Sequence, residues 1–325
     1  MDKLISILVP IYNVESSIKT CLLSLFNQTY KNIEYVFVND CTPDNSIQLL
    51  NDILDNFPER KHEVKLIEHK TNKGLGHARR TAFENSTGDY LIHIDSDDWC
   101  ELSMIEEMVN AITSKNEDII ICDYFVNYSK TELIMRDIEV SDKNDLFRKI
   151  IRDEVFPSLC NKLISRKCYL NIEFPEFSLG EDYYILTQLV NNAKHISKVD
   201  LPLFHYNQQN EMSITTKKNE NLVKDIKQYC YSVKNLLIKW NIFKKFESDY
   251  YTGVLSRTLV MTNGYKTKEA LLEIEPKAIN LLYLWSLDNR NIPKKIVYSL
   301  SFLGLGGVVR QVKKLNLYAR AHKLR

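Results

Sequence analysis

Five short β-rich runs, each alternating with an amphipathic stretch, constrain this chain more than anything else in it. The runs are Leu4 to Val9, Ile33 to Asn39, Val64 to His69, Asp89 to Ile94 and Asp118 to Cys122. Between the first two, Ile18, Cys21, Leu22, Leu25 and Phe26 recur at helical spacing, with Asn13 as the expected N-cap. Ile47, Leu50, Leu54 and Phe57 repeat the pattern in the next crossover, and Met104, Ile105, Met108, Val109 and Ile112 repeat it after the fourth run. Strands separated by helices predict βαβ units, hence an α/β fold with a mostly parallel central sheet and helices on both faces.

Beyond Asp123 the alternation weakens. Residues 124 to 136 read as a strand or hairpin, Asp142 to Ile151 as a helix, and Glu181 to Asn192 as a helix entered from Gly180. Ile196 to Val199 and Leu203 to Tyr206 read as short strands, and an antiparallel addition to the sheet is expected. From about Asn219 the period is helical, with Gly264, Pro276 and Pro293 as breaks. Arg290 to Arg325 holds nine Lys or Arg and no acidic residue around the apolar segment "IVYSLSFLGLGGVV".

Composition excludes several function classes. Forty-three Lys and Arg against forty-two Asp and Glu leave a net charge of +1, so no field draws the chain to nucleic acid. Seven scattered cysteines contain no CxxC pair, which argues against zinc and disulfide frameworks and for reduced thiols in a cytoplasm. The apolar start is too short for a signal peptide, and Ile296 to Val309 falls short of the roughly 20 residues that span a bilayer.

Unusual residues gather where an open α/β sheet places its ligands, beyond the carboxyl ends of the strands. These ends read "VPIYN", "VNDCTPDNS", "HKTNKGLGHARR" and "DSDD". Asp95 and Asp97, at i and i+2, have the spacing to turn two carboxylates toward a hard divalent cation. A solvated turn with Asp98 capping the next helix is the competing account. Asp40 is suited to accept from a pyrimidine ring N–H, which uracil and thymine carry; capping the helix near Asp44 is its alternative. Gly74 and Gly76 permit close backbone approach, with Lys73, Arg79 and Arg80 supplying charge toward a diphosphate, or form a plain helix start. Glu181 and Asp182 stand at a helix start, where acids also occur for the dipole alone.

Taken in order, "SILVPIYNVESSIKTCLLSLFNQTYKNIEYVFVNDCTPDNS", "NKGLGHARR", "GDYLIHIDSDDW" and "GED" resemble the family 2 glycosyltransferases of bacterial surface-polysaccharide synthesis. The resemblance covers about residues 4 to 215. It implies a GT-A fold, an inverting mechanism, and a nucleotide-diphosphate sugar donor with Mn²⁺ or Mg²⁺. Residues 1–215 would be the catalytic domain, with a nucleotide-sugar and metal half (1–100) and an acceptor half (101–215). Residues 216–325 would be a helical C-terminal region ending in a basic tail, 290–325.

Carried over by position, the resemblance gives Pro10, Tyr12 and Asp40 to the base and Asn72, Lys73, Gly74, Arg79, Asp95 and Ser96 to the donor. It gives Asp97, with Asp95, to the metal and Asp182 to general base catalysis. Asp98, Asn161, Lys162, Glu181 and His205 fall near acceptor or phosphate. Cys160 stands in "SLCNKL" where the family usually has Trp, and Asn39, Cys41 and Asn207 replace a common Asp, Gly and Arg. Asn207 in particular implies a weaker phosphate contact. The implied partners are the donor, a UDP-sugar on the Asp40 argument, and a saccharide or lipid-linked saccharide acceptor. The basic tail suits either a peripheral contact with anionic lipid at the inner face of the cytoplasmic membrane or a buried helix with a solvated face. A nucleotidyltransferase and a catalytically silent nucleotide-sugar binder remain as alternatives; the first normally needs a glycine-rich basic loop after strand one, which "VPIYNVESS" lacks.

Overall fold

Each of the first four runs is a strand, almost wholly buried in the first, second and fourth and only half-buried in the third, so the alternation predicts this part of the sheet. The structure, a computed structural model, describes residues 3–113, 116–137, 142–209, 221–262, 266–287 and 292–302. The elements run β1 (Ile5–Ile11), α1 (Ile18–Phe26), β2 (Ile33–Asn39), α2 (Ser46–Leu54), β3 (Val64–Glu68), α3 (Leu75–Glu84), β4 (Tyr90–His93), β5 (Trp99–Cys100) and α4 (Met104–Asn110). They continue with β6 (Ile119–Asn127), β7 (Glu132–Met135), α5 (Lys143–Ile151), β8 (Lys162–Ser165), α6 (Glu181–Asn192) and β9 (Ile196–Asn207). Helices α7 (Leu222–Lys239), α8 (Phe243–Met261), α9 (Thr267–Ile274), α10 (Leu281–Trp285) and α11 (Ile292–Phe302) complete the described chain.

The sheet order is β3-β2-β1-β4-β8-β6-β9-β5, with β7 paired to β6. Strands β1 to β4 are parallel to one another, which brings their four carboxyl ends to one edge. Pro10 lies beyond the last β1–β4 pair, Leu8 with His93, where no ladder bond needs its missing N–H. The fifth expected strand corrects the sequence reading. As the start of β6 it does not join β4; β8 lies between them, antiparallel to both. The hairpin expected over 124–136 is the β6–β7 pair, and the two short strands after Ile196 are one strand, β9, whose register against β6 shifts beside Cys122 and Asp123.

The helix expectations hold with local corrections. The whole α1 stripe is buried, but Asn13 does not cap it. The helix starts after Ser17, and Asn13 takes φ 56°, the left-handed conformation Asn tolerates. In α2 the buried residues include Leu50 and Ile53, and Phe57 lies past the helix end, tilted against Phe26. Pro293 sits in the first turn of α11, starting that helix rather than breaking one.

Two compact units emerge, Met1–Phe147 with Pro157–Lys217, and Arg148–Phe156 with Lys218–Arg325. The nine residues Arg148–Phe156 belong to the second unit. The expected boundary at 215/216, the Gly264 break, residues 210–215 of the expected catalytic domain and the tail beyond Phe302 lie outside the described residues.

One buried carboxylate ties the sheet's first strands together. Glu34 on β2 accepts from Ser6 Oγ at 2.6 Å, Gly88 N at 2.9 Å and Lys65 Nζ at 2.8 Å, and from Thr87 through both backbone and hydroxyl. Gly88 is required there, because a Cβ would meet Ser6 Oγ at 2.5 Å and Leu4 O at 2.8 Å. Burial alone would raise the pKa of Glu34, but Lys65, Ser6 and Thr87 outweigh it and hold it down at about 2, from 4.5. A depressed carboxylate stabilises the fold above its unfolded pKa, and that contribution is lost as pH falls from 4.5 toward about 2. Urea melts across this range are expected to show it, and Glu34→Gln is expected to remove up to about 3 kcal/mol at neutral pH.

Candidate active site

The site begins at the ends of β1 to β3. Tyr12, just past β1, is exposed. Asp40, one residue beyond β2, is buried and already anchored: His69 Nδ1 lies 2.7 Å from its Oδ1, Lys73 N donates to Oδ1 at 2.8 Å, and Gly74 N donates to Oδ2 at 2.8 Å. Asp40 therefore caps no helix near Asp44, where Asp44 itself accepts from Ser46 and Thr42. It clamps the loop after β3 to the end of β2. His69 Nε2 lies 2.9 Å from Thr81 Oγ1, tying the same carboxylate to α3.

Gly74 has φ 87°, and a Cβ on Gly76 would meet Pro175 O at 2.2 Å. Leu75 N donates to Ser178 Oγ at 3.2 Å. Close approach of the α3 start to the segment before α6 is thus what these glycines allow. Asn72 and Lys73 remain exposed at the loop's tip.

After β4 the chain turns sharply, with Asp98 N donating to Asp95 O at 3.0 Å. Ser96 and Asp98 are buried, Asp95 and Asp97 half-buried. Asp98 does not cap α4. Its Oδ1 accepts from Asn207 N at 2.8 Å, while Asn207 Nδ2 donates to Asp97 O at 3.0 Å, so the end of β9 secures the acidic turn. Burial first, then the charges of Asp97 and Asp95, push the Asp98 carboxyl well above its usual range.

Ligand atoms of Asp95, Asp98 and Cys160 lie within 4.8 Å of one another. A concentration of carboxylate oxygens whose own repulsion raises a pKa fits a hard divalent cation, which would relieve that repulsion. Cys160 contributes no charge, since burial and then Asp95 push its thiol well up. The group thus pairs Asp95 with Asp98, whereas Asp97, which the resemblance gives to the metal, is not among its members.

Arg79 joins this turn to α6. It is 0% exposed, with Nη2 at 3.0 Å from Asp95, 3.1 Å from Asp182 and 3.4 Å from Glu181. Burial would lower its pKa, but Asp182, Asp95 and Glu181 outweigh that and raise it well above normal. Asp182 also accepts from Leu159 N at 3.4 Å. Burial raises the Asp182 carboxyl, Arg79 opposes, and Asp95 adds to the rise; Glu181 is pushed further, by burial and then by Asp182 itself. The expectation that Arg79 faces a diphosphate is therefore corrected: its charge is spent inside the protein on three carboxylates.

Two further expectations are corrected. Asn161 and Lys162 are completely buried. Asn161 Nδ2 donates to Cys122 O and Asp137 Oδ2, and Lys162 Nζ donates to Ser158 O and Asn161 Oδ1, so both belong to the core beneath β8 rather than to an open acceptor or phosphate surface. His205 is stacked between Trp99 and Phe125, with centroids at 5.0 and 4.3 Å. Its Nε2 lies 2.9 Å from Glu101 Oε1, its Nδ1 3.3 Å from Asn127 Nδ2, so neither nitrogen is open toward a phosphate. Conversely, His69, Ser178 and Asn207 hold the site without having been singled out for it. Asn207 had been noted only as a missing Arg.

A strand order 3-2-1-4 extended by antiparallel strands, with an acidic turn leaving β4 and a Glu-Asp pair opening α6, is the architecture of the GT-A fold. The Glycosyl transferase family 2 model matches residues 6–172, just over half of the chain, and the chain belongs to that family. It is 32% identical over 213 residues to the putative glycosyltransferase EpsH of Bacillus subtilis, an alignment covering 62% of this chain and 60% of EpsH. The chain thus spans less than two thirds of that relative's length. Among solved structures, residues 1–349 of S. aureus TarS in complex with UDP-GlcNAc match with a TM-score of 0.63 at 18% identity, over 97% of this chain and 92% of that one. The mannosyltransferase PcManGT from Pyrobaculum calidifontis, in complex with GDP-Man and Mn²⁺, matches at 0.51 and 14% identity, over 100% and 87%. At these identities the likeness shows the fold. Among the described residues no helix is long and apolar enough to cross a membrane.

Proposed function

We propose that this protein is an inverting glycosyltransferase that moves a sugar from a nucleotide-diphosphate donor, a UDP-sugar, to a hydroxyl of a saccharide or lipid-linked saccharide in surface-polysaccharide synthesis. The observation that carries the reading is the buried Arg79 joining the acidic turn after β4 to Asp182 at the start of α6. The UDP-GlcNAc complex of TarS supports the donor class and the Mn²⁺ complex of PcManGT supports the metal.

Pro10, Tyr12 and Asp40 form the base end of the donor site, and Asn72, Lys73 and Gly74 its exposed loop. Asp95 and Asp97 hold Mn²⁺ or Mg²⁺, with Asp98 buried behind them. A cation bound there supplies positive charge against the developing diphosphate. Asp182 takes the proton of the acceptor hydroxyl, so that sugar transfer proceeds in one displacement with inversion. Arg79 keeps Asp182 oriented.

Calorimetry with a UDP-sugar tests the metal assignment. Asp97→Ala is expected to abolish the Mn²⁺-dependent part of donor binding, and unchanged Mn²⁺-dependent binding removes the assignment. Release of UDP on turnover separates this reading from its rivals: a silent binder holds donor without releasing UDP, and a nucleotidyltransferase releases pyrophosphate from UTP.

A further inference from the structure

Helix α10 has the sequence LLYLW, and its two faces differ only in what covers them. The inner face is fixed: Leu284 and Leu287 are buried, Tyr283 packs on Tyr251, and Arg152 Nη2 donates to Ser286 O at 2.6 Å. The outer face is equally apolar and bare, with Leu282 76% and Trp285 47% exposed beside exposed Leu281. On α11, Ile292 is 64% exposed and Ile296, one turn on, is exposed as well. Lys295 Nζ donates to Trp285 O at 2.9 Å, which joins the two exposed sets. An apolar surface of this kind, held rigidly from behind, marks a contact with something outside the chain.

Charge decides what that is. The stretch from Arg290 onward carries nine cationic residues and no acidic one, so a neutral apolar partner would leave them unanswered. Aliphatic and Trp side chains flanked by lysines and arginines are what an anionic lipid surface accepts, the apolar groups entering the acyl boundary and the cations meeting the headgroups. A second copy of the chain would bring the same cations together and be repelled.

We infer that Leu281, Leu282, Trp285, Ile292 and Ile296 form a docking surface for an anionic bilayer, reinforced by the cationic residues from Arg290 to Arg325. The surface rests on the transferase reading only for its purpose, which is to bring a lipid-linked acceptor within reach.

Flotation of the full-length protein tests it, using vesicles of phosphatidylglycerol mixed into phosphatidylcholine against phosphatidylcholine alone. Binding is expected to the anionic vesicles and to weaken as salt rises. Leu282→Ser combined with Trp285→Ser, both exposed, is expected to lower partitioning about tenfold or more, and Lys313→Gln with Lys314→Gln to lower it by a similar factor. Equal binding to neutral vesicles, wild-type flotation of the Leu282/Trp285 variant, or a concentration-dependent dimer lost in that variant with no vesicle binding overturns the inference. UDP release in solution is expected to be unchanged in the variant. Absence of UDP release from the wild type would instead overturn the transferase reading and leave the vesicle result standing.

Discussion

Asp182→Asn is expected to leave donor and metal binding intact while slowing sugar transfer by about 10² to 10⁴, the usual contribution of a positioned general base. The substitution preserves shape and an acceptor oxygen for Leu159 N, and Arg79 keeps Asp95 and Glu181 as partners. Neighbouring Glu181 supplies the internal control. Glu181 shares the same buried guanidinium, at 3.4 Å against 3.1 Å for Asp182, but is not the assigned base, and Glu181→Gln is expected to cost far less in rate. The pH profile carries the same assignment. A base works unprotonated, so the rate falls as pH drops through its pKa; burial has raised that of Asp182, which moves the acid limb above the ordinary Asp range near about 4. Single-turnover transfer with donor affinity measured separately checks both statements, and an undiminished rate in Asp182→Asn removes Asp182 from the chemistry.

The parallel half of the fold is legible because strands buried on both faces must be continuous apolar runs, and Ile5–Ile11 and Ile33–Asn39 are such runs. Their polar endings are legible for the complementary reason: Asp40 and Asp95 follow where the apolar runs stop. Strand β8 was missed because it is four residues long and begins with a lysine. Lys162 reads as a surface or phosphate-binding cation, and only the fold reveals Asn161, Ser158 and Asp137 gathered around it. The hold of Asn207 on the acidic turn is not legible, because it comes largely through a backbone N–H, which every residue but proline has and no sequence pattern marks. Asn13 shows a different limit. The same short amide that favours helix caps also favours the left-handed conformation it adopts. Arg79 combines both difficulties, since a basic residue on a helix after a glycine loop looks ready for a diphosphate, while its partner Asp182 lies 103 positions away in the chain.

That distance is why Arg79→Met is expected to be the most damaging single change to stability. The methionine fills the volume, so the loss is electrostatic: Asp95, Glu181 and Asp182 are left facing one another without their cation. Removing one partner of a buried ion pair typically costs about 3 to 5 kcal/mol, and lysine is no remedy, because a single ammonium cannot reproduce a planar guanidinium that reaches three carboxylates. The cost depends on pH with a definite sign. Without Arg79 the folded-state pKa values of Glu181 and Asp182, already raised by burial, rise further, so the variant is least impaired where these acids are protonated and loses stability as pH climbs. Urea melts at about pH 5 and about pH 8 are expected to show the larger deficit at the higher pH, and Glu181→Gln added to Arg79→Met is expected to restore part of it. A deficit independent of pH would mean that Arg79 acts through packing alone, and the link it provides between the acidic turn and the start of α6 would lose its electrostatic basis.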